Sequence, residues 1–153
     1  MTIARWGRIA ALATIAAALS IPARAAESCA IFTWSGVAFG TYNVLNPAPV
    51  DTTGLLILTC NDEARNVTVD LSRGNAPTFN PRFLRNGTSQ LNYNLFMDAA
   101  MTTIWGNGTA GTSQFSQVDP AGIVLLRIYG RIPALQDLPA GSYTDTIVAT
   151  VNF

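Results

Sequence analysis

The sequence predicts an all-β protein, a β-sandwich of six or seven antiparallel strands, and three observations carry that expectation. The last stretch, residues 138–153 (LPAGSYTDTIVATVNF), alternates from Tyr143 onward. Tyr143, Ile147, Ala149, Val151 and Phe153 fall on one face, and Thr144, Thr146, Thr150 and Asn152 on the other, with Val148 the apolar exception. A period of two in a run rich in β-branched residues marks a half-buried strand. Two continuous apolar runs, 53–60 (TGLLILTC) and 122–129 (GIVLLRIY), have the length and composition of strands buried inside a sandwich. Finally, Gly, Pro and Asn separate these runs at short intervals, and no segment beyond the first 25 residues reads as a helix.

The chain has 153 residues, one domain's worth, but its first part is not structural. Arg5 and Arg8 precede an Ala-rich apolar run that ends near Ile21, Pro22 breaks it, and Ala23-Arg24-Ala25 supplies small residues for a signal peptidase. This is the pattern of a secretory signal peptide cleaved after Ala25. The apolar run is shorter than the roughly 20 residues a membrane span needs. The expected division is signal peptide 1–25 and one domain 26–153, with no stable membrane insertion after cleavage. The exported part carries six arginines, no lysine and nine acidic residues, a net charge of −3. Scattered arginines on a slightly acidic domain leave no footprint for nucleic acid or anionic lipid.

In an exported protein an even pair of cysteines reads as a disulfide, so Cys29 and Cys60 are expected to be bonded. Closing that loop stabilises by roughly 3–4 kcal/mol in the chain-entropy model. Residues 29–33 (CAIFT) read as a short strand, and 37–42 follow, with bends at Gly36 and Gly40. The two prolines of 43–51 make a loop, and the 53–60 strand then ends at the second cysteine, so the disulfide ties the first strand to it. A polar turn at 61–65 leads to the alternating strand 66–71 (NVTVDL), and Gly74, Pro77 and Pro81 make 72–81 a loop. Asn86-Gly87 is the strongest hairpin signal in the chain. After it Leu91, Tyr93, Leu95 and Met97 alternate with Asn92, Asn94, Phe96 and Asp98. Ile104-Trp105 precedes a glycine-rich surface loop at 106–111. The 122–129 strand bends away at 130–133, and 134–139 return the chain to the final strand. Trp34 and Trp105 are expected in the core.

Catalytic chemistry finds little support. Without histidine, Ser-His-Asp and Cys-His arrangements are impossible, and a zinc site has no imidazole to complete it. Asp62 and Glu63 are neighbours in a turn and point apart, while Asp70, Asp98, Asp119 and Asp145 are isolated. They read as solvated faces and turn caps, with Asp98 starting a turn through its side chain. The 106–111 loop lacks the lysine and following helix of a phosphate-binding loop. No catalytic residue, cofactor or metal site is expected.

Several pieces taken together resemble the spore coat protein U domain family, the subunits of archaic, Csu-type chaperone–usher pili. They are the early cysteine with VAFGTYNVLNPAP (37–49), Thr53-Gly54 leading to LTC (58–60), LNYNLFMDAA (91–100), the WGNG turn (105–108), YGRIPALQDLPAGSYTD (129–145) and the apolar C-terminal strand. Their order and spacing span nearly all of the exported chain. The resemblance implies an incomplete immunoglobulin-like sandwich lacking one strand. A periplasmic chaperone lends a strand to the gap, and an outer-membrane usher exchanges it for the N-terminal strand of a neighbouring subunit. It also implies a role for Tyr143, Ile147, Ala149, Val151 and Phe153 as the strand that a chaperone or partner binds. One departure stands out: only Ala26, Glu27 and Ser28 precede Cys29, a span of at most about 10 Å, where a donor arm needs about ten residues. The expectation is a subunit that accepts a strand without giving one, at the tip or end of a fibre, with Val44-Leu45 and Phe79 as candidate adhesive side chains. The rival readings are a stand-alone secreted sandwich that binds a ligand or carbohydrate, and an exported hydrolase.

Overall fold

The two continuous apolar runs become the longest strands and pair with each other along their whole length. The computed structural model describes residues 28–61 and 66–153; the expected signal peptide and the Asp62–Glu63 pair lie outside them. Eight strands occur among the described residues: β1 (Cys29–Trp34), β2 (Val50–Cys60), β3 (Asn66–Leu71), β4 (Arg82–Asn86), β5 (Ser89–Phe96), β6 (Phe115–Val118), β7 (Gly122–Ile132) and β8 (Ala149–Asn152). None of these residues is helical. A five-stranded sheet runs β1-β2-β7-β5-β4 and a three-stranded sheet runs β6-β3-β8, with every strand pair antiparallel.

Register follows the apolar pattern. β2 and β7 pair from Val50 opposite Ile132 to Cys60 opposite Gly122, which places Leu56 beside Leu126 and Leu58 beside Val124 on the buried face. Directly opposed residues share a face, so a slip of one residue in either strand would turn that strand's buried set to the outer face. At one end of the ladder the Arg131 guanidinium grips both oxygens of Asp51 at 2.7 Å, and that contact holds the Asp51 carboxyl below the usual carboxylate range. From the small sheet, Val67, Val69 and Leu71 face Leu91, Tyr93 and Leu95 of β5 in one buried cluster. Trp105 lies inside the cluster, its indole N–H donating to Val69 O at 2.9 Å, and Trp34 packs partly buried against it. Each large buried side chain contributes roughly 1.5–3 kcal/mol.

The differences from expectation have local causes. The predicted segment 37–42 forms no ladder but lies flat across the core face of the large sheet. A side chain at Gly130 would meet Val37 Cγ1 at 2.7 Å and Phe39 Cζ at 2.9 Å, and one at Gly54 would meet the Gly36 carbonyl, so both glycines are needed for this close approach. Phe39 then meets Tyr93 edge to face, 5.7 Å between ring centres. The bend expected at 130–133 is absent up to Ile132, because Val50, Asp51 and Thr52 extend β2 alongside it. β6 was not expected at all: FSQV is mostly exposed and does not alternate, and it is a strand because it pairs along the edge of β3. The Asn86-Gly87 hairpin joins β4 to β5 as expected.

Candidate strand-accepting groove

The disulfide Cys29–Cys60 joins two directly opposed residues, with the Cα atoms 4.1 Å apart, and staples β1 to the edge of the large sheet. β1 is an outer strand there, and β8 is an outer strand of the small sheet. The two approach each other, and among the described residues neither has a strand partner on its other side. Ile31 stands opposite Leu58, whose side chain is fully buried, so Ile31 points to the core side; yet it is 42% exposed. The described residues therefore leave this core-facing aliphatic side chain partly uncovered. Phe32, the extra residue where the β1 register shifts, is more exposed still.

A cleft of about 1040 Å³ lies between residues 37–44 and 138–145, lined also by Leu84, Leu91 and Ile132. Tyr42 and Tyr143 stand in its walls. The Tyr42 hydroxyl donates to Pro133 O at 3.0 Å and accepts from Gln136 N at 2.8 Å, while the Tyr143 hydroxyl donates to Pro139 O at 2.9 Å. The Tyr42 hydroxyl is thus engaged by residues outside the cleft lining, and the Tyr143 hydroxyl by Pro139 within it.

The last segment is regular only over Ala149–Asn152 and not from Tyr143 as expected. Before that it hydrogen-bonds first to β4, through Arg85 and Thr144 at 2.8 and 3.0 Å, and then to Ser72 through Val148. Asp145 explains the interruption. It falls on the apolar face by parity, and its carboxylate accepts the Tyr93 hydroxyl at 2.7 Å, Asn75 N at 2.9 Å and Thr146 N at 2.8 Å. Burial, and then this carboxylate, push the Tyr93 hydroxyl well above the usual tyrosine range.

Tyr143, Ile147, Ala149 and Val151 all pack, partly buried, against the core, as their shared face predicts. Phe153 does not: it follows the strand and is 51% exposed. Phe79 is corrected from exposed to buried, with the Arg73 and Arg82 guanidiniums 6.0 and 5.3 Å from its ring centre, whereas Leu45 is well exposed. Sequence reasoning missed Ile31 and Asp145. The signal for Asp145 was present, as an acid on the face that otherwise holds Tyr143, Ile147 and Val151.

The family model of the Spore Coat Protein U domain matches residues 13–150. The chain belongs to the Spore Coat Protein U domain family. Within reach of this family lies Protein U of Myxococcus xanthus, 34% identical over 160 residues, covering 92% of this chain and 86% of that protein. Among solved structures, this Spore Coat Protein U domain is similar to a chain in the CsuC–CsuE chaperone–tip adhesion subunit pre-assembly complex from the archaic chaperone–usher Csu pili of Acinetobacter baumannii. The TM-score is 0.60 with 25% identity over 84% of this chain. The match spans 40% of that longer chain. The P pilus rod subunit PapA shares the fold alone, with a TM-score of 0.53 and 13% identity over 81% of this chain and 97% of PapA. The fold is thus that of chaperone–usher pilus subunits, an all-β immunoglobulin-like arrangement with one disulfide.

Proposed function

We propose that this chain is a non-enzymatic subunit of a secreted chaperone–usher pilus, exported by a signal peptide at 1–25 and completed by a strand from another chain. The observation that carries this reading is the exposed, core-facing Ile31 beside the free edges of β1 and β8. A strand laid there would pair its backbone with the flanking edges and place alternate side chains on Ile31, Ile147 and Val151. The partners are a periplasmic chaperone, an outer-membrane usher and a neighbouring subunit that donates its strand. Tyr143, Ile147, Ala149, Val151 and Phe153 form the lip that a chaperone grips. A terminal, adhesive place in the fibre, with a part in biofilm formation, belongs to the same proposal. It is supported by likeness to a chain from a chaperone–tip adhesion subunit complex.

The test is periplasmic expression of the full chain with and without its cognate chaperone, followed by soluble yield and thermal unfolding. An open groove with unpaired edges leads to aggregation, so soluble protein is expected only with the chaperone. A stable monomer made without one sinks the proposal and favours a stand-alone binding domain.

A further inference from the structure

A second cleft, of about 450 Å³, opens between the 72–81 and 106–111 loops and shares no lining residue with the groove. Its size is that of a small-molecule site. Its walls are formed in advance by hydrogen bonds within each loop. Thr112 donates to Thr109 O through N at 3.0 Å and through Oγ1 at 2.7 Å, and Gly106 N donates to Ser113 O at 2.8 Å. Across the cleft, Thr78 Oγ1 donates to Pro81 O at 3.3 Å and Ala76 N to Arg73 O at 3.3 Å. Sites ordered before binding lose little entropy on binding.

One arginine, two amides and the hydroxyls of Thr78 and Thr109 are the polar side chains of this cleft. Arg73 Nη1 donates to Pro77 O at 2.5 Å, which fixes the guanidinium beside Phe79, and no carboxylate pairs with it among the described residues. Asn107 spends its side-chain oxygen on Thr109, accepting from N at 3.2 Å and from Oγ1 at 2.6 Å. Asn80 spends its oxygen on Asn94 Nδ2 at 3.3 Å. Neither amide NH₂ group has a hydrogen-bond partner among the described residues, and no acidic residue lines the cleft. Pro77 and Ala110 add apolar surface. The whole chain carries no net positive charge, so an anion would be drawn here by this arginine and not by a general field.

We propose that this cleft binds an acidic sugar. The carboxylate is held by the free N–H groups of Arg73, ring and hydroxyl oxygens accept from the Asn80 and Asn107 amides, and one face of the ring rests on Pro77 and Ala110. Charge-assisted bonds to a fixed guanidinium are the strong ones, while the amides separate a sugar from a bare carboxylate. The proposal stands apart from the assembly reading, because the cleft and the groove do not overlap.

The test is titration of the purified full chain, with its chaperone bound if solubility requires it, by glucuronate, glucose, acetate and sulfate. Calorimetry and amide NMR are the readouts. Saturable binding of glucuronate is expected, with shifts at Asn80, Asn107 and Thr109 and at least tenfold weaker binding of glucose and acetate. R73Q should lose at least about tenfold in glucuronate affinity, and R73K should recover part of it, with unfolding midpoints near the parent's. Equal binding of glucuronate and glucose, or full affinity in R73Q, overturns the proposal. Acetate or sulfate binding as tightly as glucuronate reduces the cleft to a plain anion site and also overturns it. Should R73Q not fold, absence of shifts at Asn107 and Thr109 in the parent chain decides against it.

Discussion

At the scale of single residues, Arg82 shows how a charge becomes a core component. It is fully buried, and its guanidinium donates to Ser72 O at 3.0 Å, Asn94 Oδ1 at 2.7 Å and Trp105 O at 2.6 Å. Burial pulls its pKa down to about 10, partly countered by Tyr93 and Asp145, so it stays protonated at neutral pH. R82M removes the Arg82 donors from Ser72 O and Trp105 O, at about 1–3 kcal/mol each, while Asn94 Oδ1 keeps Leu95 N at 2.9 Å. The expected loss is about 3–5 kcal/mol, read as a fall in the denaturant midpoint, and an unchanged midpoint would refute this account. Asp98 is the opposite case, a partly exposed acid with a local task. Its carboxylate accepts Thr103 N at 2.7 Å, Thr102 N at 3.1 Å and Thr102 Oγ1 at 2.9 Å, and these donors hold its pKa at about 2. A carboxyl whose folded pKa is lowered stabilises above its unfolded value and loses that contribution as pH falls through the folded one. The parent chain should therefore lose stability between about pH 4 and pH 2 more steeply than D98N, in thermal unfolding followed across that window; parallel curves would refute it. The turn at Asp98 was legible in the sequence because donor and acceptor are within five residues. Arg82 was not, because its acceptors come from three separate places along the chain.

Among the elements, legibility followed burial and locality. β2, β3, β5 and β7 announced themselves because each carries an apolar set with a strand's period or length, and the β4–β5 hairpin because its turn needs Gly87. β6 was silent because only a neighbour's edge makes it a strand. The last segment was over-read as one strand from Tyr143 because its periodicity is right; what periodicity could not foresee was Asp145 turning inward to Tyr93 and Asn75. β1 depends most on a covalent bond, since it pairs on one side only and most of its side chains are exposed. Replacing Cys29 and Cys60 together by serine should cost about 3–4 kcal/mol from the reopened 31-residue separation. Hydrogen exchange should also locate the loosening in β1 ahead of the other strands. Uniform loss of protection across both sheets would mean that the disulfide does not act through β1.

Over the whole molecule, the core is closed where β5 and β7 face β3, and it leaves Ile31 exposed where β1 and β8 approach each other, so the cost of a core substitution there should depend on whether a further strand covers it. Ile31 is the position at which this can be measured. In the chain alone its side chain is 42% exposed, and I31A should remove little, under about 1 kcal/mol. With an added strand covering it, the same side chain becomes interior, where truncating an isoleucine costs about 2–5 kcal/mol. A saturating peptide with alternating apolar residues should itself stabilise the chain by about 2.7 kcal/mol at a hundred times its dissociation constant. The measurement is thermal unfolding of parent and I31A chains, each with and without such a peptide. A penalty for I31A that grows when the peptide is bound places the peptide in the groove, against the core side of β1. An equal penalty in both states would mean that Ile31 stays outside whatever the peptide completes, and the sandwich would have to be regarded as finished without a partner.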